Sequence, residues 1–345
     1  MAYFRKLDTQ MERLLTLFTR DDRWLICVNA DPDALASAMA LKRIMARRVQ
    51  NVAIAQVNEI TRPDNLEMVQ SLRIPTKKLI PTLSAQYDKF AIVDSQPHHH
   101  DGFAPFEFSV VIDHHPISEE NPVTAEFTDI KPEYGANSSM LTEYLYNLGI
   151  KPGKLLATAL LYGIKTDTSS FERPFCEKDI RAFQYLIKYG DQNLLRKIYR
   201  SEFHLDWLKY FSQAFYKMRV MNQGLYVYMD EVDSSDILVI LADFFLRVQG
   251  ISWTVIAGQV EDTVVGIFRG DGLKRDMGKM ASKLFKNIGN AGGHKSMARA
   301  EVPLENLCGA GPENFLWDRL HYKGSSAAPK TDCMEDKAGK AKKHE

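Results

Sequence analysis

Several short apolar runs in the first half of this chain end in groups that resist burial, and that pattern most restricts how it can fold. Phe108-Ser109-Val110-Val111-Ile112 closes on Asp113-His114-His115. Trp24-Leu25-Ile26-Cys27-Val28 leads into Asn29-Ala30-Asp31-Pro32-Asp33. Phe90-Ala91-Ile92-Val93 leads into Asp94. Runs of this length and composition read as buried strands. Helix-like segments separate them: 36–48, where Met39, Leu41, Ile44 and Met45 supply apolar faces, 66–72, and 137–148 with Asn137 or Ser138 as cap. Further strands are expected at 52–57 and 78–80. Such alternation predicts a parallel sheet covered by helices, and open sheets of this kind bind ligands at the carboxyl ends of their strands.

A fourth acid, Asp167, follows the apolar stretch from Leu155 to Ile164 and is read as one more acid-bearing strand end. Any one D-x-D is weak, because Asp is common in turns and caps. Four acids converging on one edge would repel each other unless a cation sits among them. Carboxylates with imidazoles suit a divalent metal.

A second unit is expected from about residue 220, after a helical stretch over 177–218. Leu225 to Met229 alternates like a strand, 234–248 is helical, 253–259 and 263–268 pair as strands, and 277–285 is a helix before Gly292-Gly293-His294. This order predicts a smaller α/β lobe with a mixed sheet. From Lys323 the chain turns polar and is expected to be disordered.

The chain has 345 residues, 45% of them hydrophobic, which suits two ordinary domains. No apolar stretch is long enough to span a membrane. Met1-Ala2-Tyr3-Phe4-Arg5-Lys6 lacks the apolar core of a secretory signal, so a cytoplasmic location is expected. Cys27, Cys176, Cys308 and Cys333 form no C-x-x-C pair and read as reduced thiols. Lys plus Arg equals Asp plus Glu at 44 each, which argues against a long duplex as partner and leaves room for a small anionic substrate. The sequence leaves a homodimer open.

Taken in order, Asn29-Ala30-Asp31-Pro32-Asp33-Ala34, Val93-Asp94-Ser95, Asp113-His114-His115 and Gly163-Ile164-Lys165-Thr166-Asp167-Thr168 resemble the four motifs of the DHH phosphoesterase superfamily. Gly292-Gly293-His294 resembles the glycine-histidine loop of the DHH-associated C-terminal domain. The combination, over about residues 20–305, is similar to RecJ-like and NrnA-like members, among them oligoribonucleases and cyclic-dinucleotide phosphodiesterases. The resemblance implies a DHH catalytic domain over 1–190, a helical linker over 191–220, a substrate-binding domain over 221–322 and a tail over 323–345, with the site in a cleft between the domains.

It also implies two Mn²⁺ ions, with Asp94 bridging, Asp31 on the first, and Asp33, His114 and Asp167 on the second. Catalysis would be in-line attack by water on phosphorus, with Asp94, His115 and His294 as catalytic residues. Asp113 would orient an imidazole from behind the ligands. Arg269, Gly292, Gly293 and His294 would grip substrate phosphate, with Arg299 as a further contact and Phe171 or Phe175 as a base-stacking ring. The implied reaction cuts short single-stranded oligoribonucleotides or (cyclic) dinucleotides to mononucleotides. Hydrolysis of a 3′,5′-bisphosphonucleotide or of polyphosphate is the enzymatic alternative.

Cys27 departs from the pattern, because the family has a metal-binding histidine there. Three readings stay open: a buried core cysteine that leaves the first metal weakly held; a thiolate ligand that favours Fe²⁺, Co²⁺ or Zn²⁺; or replacement by His98, His99 or His100. The first would turn the chain into a nucleotide-binding sensor of low or no activity. Ala30 and Pro32 also depart from the family residues, without removing a carboxylate. Ala291 replaces the first glycine of the second-lobe loop.

Overall fold

The computed structural model describes residues 3–307 and 311–321. The tail expected over 323–345, with Cys308 and Cys333, lies outside the described residues. The chain divides into two compact units between Phe203 and His204.

The first unit runs α1 (Asp8–Thr16), β1 (Arg23–Val28), α2 (Pro32–Met45), β2 (Asn51–Gln56), α3 (Pro63–Ser71), β3 (Thr76–Lys78), α4 (Pro81–Ser84), β4 (Lys89–Val93), β5 (Phe108–Asp113), β6 (Phe127–Ile130), α5 (Asn137–Asn147), α6 (Lys154–Asp167), α7 (Glu177–Leu186) and α8 (Gln192–Tyr199). The six strands form one parallel sheet in the order β3-β2-β1-β4-β5-β6. Side chains alternate across it. Trp24, Ile26 and Val28 pack under α2, α5 and α6, while Leu25 and Cys27 pack on the other face with Ala55, Ile92, Phe103 and Val111. Burial on both faces explains why these strands are apolar at nearly every position.

Helix α2 begins where Asp31 accepts the Ala34 amide at 2.8 Å and Pro32 takes the first helical position, its fixed φ already suited to that place. The departure Pro32 is thus a helix starter. Helix α6 is buried over Leu156–Ile164 and packs on α2 and α5. Asp167 therefore ends a helix, which corrects its reading as a strand end. An apolar run buried on all sides carries no period that separates helix from strand. Two edge features also differ from expectation. The outer strand is Thr76–Lys78, leaving Leu79 and Ile80 outside it, and β6 was not anticipated.

The second unit runs α9 (Leu208–Lys217), β7 (Arg219–Met221), β8 (Gly224–Glu231), α10 (Ser235–Leu246), β9 (Trp253–Val260), β10 (Thr263–Gly270), α11 (Met277–Phe285), β11 (Asn290–Gly293), β12 (Met297–Pro303) and α12 (Pro312–His321). Its mixed sheet has the order β11-β12-β10-β9-β8-β7. Only β8 and β9 pair in parallel, joined across α10. The stretch expected as a linker over 191–220 is shared out: α8 packs on α3 and α6 of the first unit, and α9 on β8 of the second. Among the described residues no helix is long and apolar enough to cross a membrane.

Candidate metal centre

The chain leaves β1 toward β2 and β3, then returns to place β4 on the other side of β1. The connections from β1 and β4 depart in opposite directions, so a crevice opens at their carboxyl ends. Three of the four motifs emerge there or on the adjoining strand β5. Asn58 pins the turn after β1, accepting the Ala30 amide at 2.5 Å and donating to the Ala30 carbonyl at 3.0 Å.

Asp94 follows β4 with a left-handed backbone, φ 57°, while its amide still donates to the Ile112 carbonyl at 2.9 Å. Strain of this kind in a non-glycine residue collects at functional sites. Both carboxylate oxygens of Asp94 and Nε2 of His114 are buried without a hydrogen-bond partner. They are nevertheless close. His114 Nε2 lies 3.2 Å from Asp94 Oδ1, 3.3 Å from Asp167 Oδ2 and 4.0 Å from Asp33 Oδ2. Donor atoms that crowd together without aligning on one another suit a common cation, since an orphaned buried carboxylate is otherwise costly. The other ring nitrogen of His114, Nδ1, is 3.1 Å from the Tyr134 carbonyl. In the neutral ring, donation there leaves the Nε2 lone pair for a cation.

Asp33 is held from an unexpected side. Its two oxygens accept the backbone amides of Asn137 at 2.6 Å and Ser138 at 2.7 Å. The start of α5 is therefore capped by a carboxylate from α2. Neither expected cap, Asn137 nor Ser138, serves, because the capping position is Ala136 and the partner is remote in sequence. Gly163 lets α6 come this close: a Cβ there would stand 2.5 Å from Ser138 Oγ and 3.0 Å from Asp33 Oδ1. Gly163→Ala should therefore weaken cation binding despite alanine's advantage of about 1 kcal/mol inside a helix, as a Mn²⁺ titration would register.

Asp33, Asp94, His114 and Asp167 form one group whose donor atoms lie within 4.8 Å of each other. Burial raises the Asp33 carboxyl to about 7, with Asp167 adding to the effect. Burial and the charges of Asp33 and Asp31 raise Asp94 well above the ordinary range. Asp31 is an exposed residue, yet its carboxyl is pushed up to about 6 by the surrounding protein and the Asp167 charge. Burial opposes the charged form of His114, but Asp167 and Asp94 outweigh it and hold the ring well above its usual value. Three acids reluctant to ionise together around one imidazole are what a divalent cation would relieve. Oxygen donors with one nitrogen fit a cation such as Mn²⁺.

His115 stands next to this group. Its Nδ1 is 2.8 Å from Asp113 Oδ1, and Asp113 Oδ2 accepts Gln96 Nε2 at 2.8 Å. Asp113 thus orients His115. Cys27 is fully buried on the other sheet face, where burial pushes its thiol up to about 12. It joins none of the candidate metal groups among the described residues. Of the histidine run, His98 is exposed, His100 accepts the Gly102 amide at 2.9 Å, and His99 accepts the Gln96 amide at 3.2 Å. Phe171, with φ 71°, ends a left-handed run from Ser169, and its ring packs on Phe175 and Phe183.

In the second unit, Arg269 Nε is paired with Asp243 at 2.8 Å and Arg299 Nε with Glu301 at 2.7 Å. His294 is exposed, and its amide donates to the Met297 carbonyl at 2.7 Å. Gly292 and Gly293 belong to β11 and its end. Gly293, at φ 145°, leaves no room for a Cβ, which would lie 2.4 Å from the Met297 carbonyl oxygen, while a Cβ at Gly292 would meet nothing. Gln96, the Tyr134 carbonyl and the α5 amides had no signal in the residue pattern. Two of these act through backbone atoms that every residue shares.

Residues 23–164 match the N-terminal domain of the DHH family. The chain is 34% identical over 278 residues to the uncharacterized protein MJ1633 of Methanocaldococcus jannaschii, spanning 80% of this chain and 57% of that one. It is 25% identical over 222 residues to the cyclic-di-AMP phosphodiesterase PdeA of Listeria monocytogenes, spanning 63% of this chain and 33% of the relative. The chain thus covers about half or less of the length of these relatives. An exopolyphosphatase-related protein from Bacteroides fragilis shares the fold, with a TM-score of 0.72 at 14% identity over 91% of this chain and 96% of that one. The crevice and three of the four grouped side chains, Asp33, Asp94 and His114, lie inside the stretch 23–164 that matches the DHH family, and Asp167 lies three residues beyond it.

Proposed function

We propose that the chain is a metal-dependent phosphodiesterase that hydrolyses short oligoribonucleotides or (cyclic) dinucleotides to mononucleotides. One observation carries the reading: Asp94 places two buried carboxylate oxygens, neither with a hydrogen-bond partner, among Asp33, His114 and Asp167. Similarity to a cyclic-di-AMP phosphodiesterase supports the substrate class.

Asp33, Asp94, His114 and Asp167 would hold one cation, and Asp94 would share a second with Asp31. We propose Mn²⁺ for both. When bound, such a pair lowers the pKa of water and stabilises charge on the attacking and leaving oxygens. The chain's own residues supply the rest. The α5 amides fix Asp33, the Tyr134 carbonyl fixes the ring of His114, and Asp113 fixes that of His115. With these groups set before substrate arrives, little reorganisation remains for the reaction. Gly292, Gly293 and His294 are proposed to contact substrate phosphate, with exposed His294 offering a hydrogen bond from its ring. Arg269 and Arg299 would have to exchange Asp243 and Glu301 for the substrate.

The Mn²⁺-loaded chain should convert linear and cyclic diadenylate, and di- to pentaribonucleotides, to mononucleotides. Intact substrates across that panel would reject the reading. Turnover confined to a 3′,5′-bisphosphonucleotide or polyphosphate would replace it with the alternative phosphatase. The burial of Cys27 favours one second reading, a nucleotide sensor with a single cation. Tight dinucleotide binding with one Mn²⁺ per chain and no turnover would establish it.

A further inference from the structure

We infer that His115 is a cation ligand, supplying the nitrogen that position 27 cannot. The inference rests on the proposed two-cation reading and names the side chain that completes its second position.

Cys27 is remote from this task. Its side chain packs with Leu25, Ala55, Ile92 and Val111 on the sheet face opposite α2. Asp94, by contrast, belongs to two donor groups. One is the set with Asp33, His114 and Asp167; the other joins Asp94 with His114 and His115, again with all donor atoms within 4.8 Å. His114 has only Nε2 to offer, because Nδ1 is engaged by the Tyr134 carbonyl. The second group therefore adds one new donor, the ring of His115.

That ring is prepared for ligation. Asp113 is fully buried and takes the Nδ1–H of His115 at 2.8 Å. Gln96, also fully buried, donates to the other Asp113 oxygen at 2.8 Å and stops the carboxylate from turning. The tautomer follows: Nδ1 carries the proton and Nε2 keeps its lone pair. A carboxylate behind an imidazole is the usual support of a metal-bound histidine. The His115 side chain is 35% exposed, so a cation has a way in.

His99 is the rival. It forms a group with Asp113 and His115, but its Nδ1 accepts the Gln96 amide at 3.2 Å, and both oxygens of Asp113 are already used. Within that group Asp113 braces His115, whereas His99 is tied to the Gln96 amide instead.

The test uses the full chain, Mn²⁺ alone as probe, metal analysis after desalting, and electron paramagnetic resonance. The unmodified chain should retain two equivalents with the signal of a coupled pair. His115→Gln should retain one, with the six-line signal of an isolated ion. Asp113 is a positioning residue, and Asp113→Asn should keep the tight equivalent and weaken the other by about 10–100-fold. Cys27→Ala and His99→Gln should keep both. Thermal unfolding in chelator identifies any variant that fails to fold, and Asp113→Asn then decides in place of His115→Gln. The inference is overturned if His115→Gln keeps the coupled pair, if Cys27→Ala or His99→Gln loses an equivalent, or if the unmodified chain binds only one. A chain that holds the pair through His115 but leaves every dinucleotide intact would defeat the proposed function and leave the ligand assignment standing.

Discussion

Asp94→Asn is expected to lower hydrolysis by about 10³-fold or more, a loss on the scale of removing a principal electrostatic group from an active site, while making the metal-free chain more stable. The two effects share one cause. Asp94 brings a carboxylate with no hydrogen-bond partner into a buried place beside Asp33 and Asp31. Such a group disfavours folding until a cation neutralises it. Asparagine tolerates the left-handed backbone, removes the charge and adds a donor for neighbouring carboxylates. A gain of about 1–3 kcal/mol is expected in chelator, the size of an unsatisfied buried polar group. With saturating Mn²⁺ the order should reverse, because only the unmodified chain gains the binding free energy. Chemical denaturation with and without Mn²⁺ reads both signs. A variant less stable than the parent in chelator would show that Asp94 supports the fold without a cation.

The second large effect is an inverted pH dependence. Most carboxylates lose folding stability as acid protonates them; the cluster should do the opposite when free of metal. Asp31 and Asp33 hold their protons more tightly in the folded chain, at about 6 and about 7, and Asp94 is raised in the same direction. Between about pH 4 and 7 the folded chain thus binds more protons than the unfolded one and loses stability as pH rises. His114 acts in the same sense, since its raised value gives stability at low pH that disappears as the ring deprotonates. Asp33 alone, fully buried, would account for about 2 kcal/mol between pH 5.5 and 8. In chelator the unfolding midpoint should be higher near pH 5.5 than near pH 8. Mn²⁺ should flatten or reverse the trend, because cations bind the deprotonated groups. A chelated chain more stable at pH 8 would contradict the buried like-charge description.

Much of the site was legible because parallel strands buried on both faces leave near-continuous apolar runs, so Asp94 and Asp113-His114-His115 stood out where β4 and β5 end. Asp33, His114 and Asp167 were placed with Asp94 on the strength of their motifs, and the structure brings the four together. The element carrying Asp167 was misread, since α6 is as apolar around its circumference as a central strand. Strand β6 was missed because Phe127-Thr128-Asp129-Ile130 is short and carries an exposed Thr128 and an acid. Strand β11 was missed because Asn290-Ala291-Gly292-Gly293 has no large apolar side chain. The hold of Asp33 on α5 could not be read at all. It joins residues more than a hundred positions apart through amide groups that leave no mark on residue type.

That hold has a use of its own. The amides of Asn137 and Ser138 touch the same carboxylate that faces the proposed metal, so their rate of exchange with deuterated solvent should report loading from the far side of the ligand. When the carboxylate is drawn between protons, helix start and ion, these two positions change their protection first. An observer could follow occupancy there without a substrate, a dye or a paramagnetic signal.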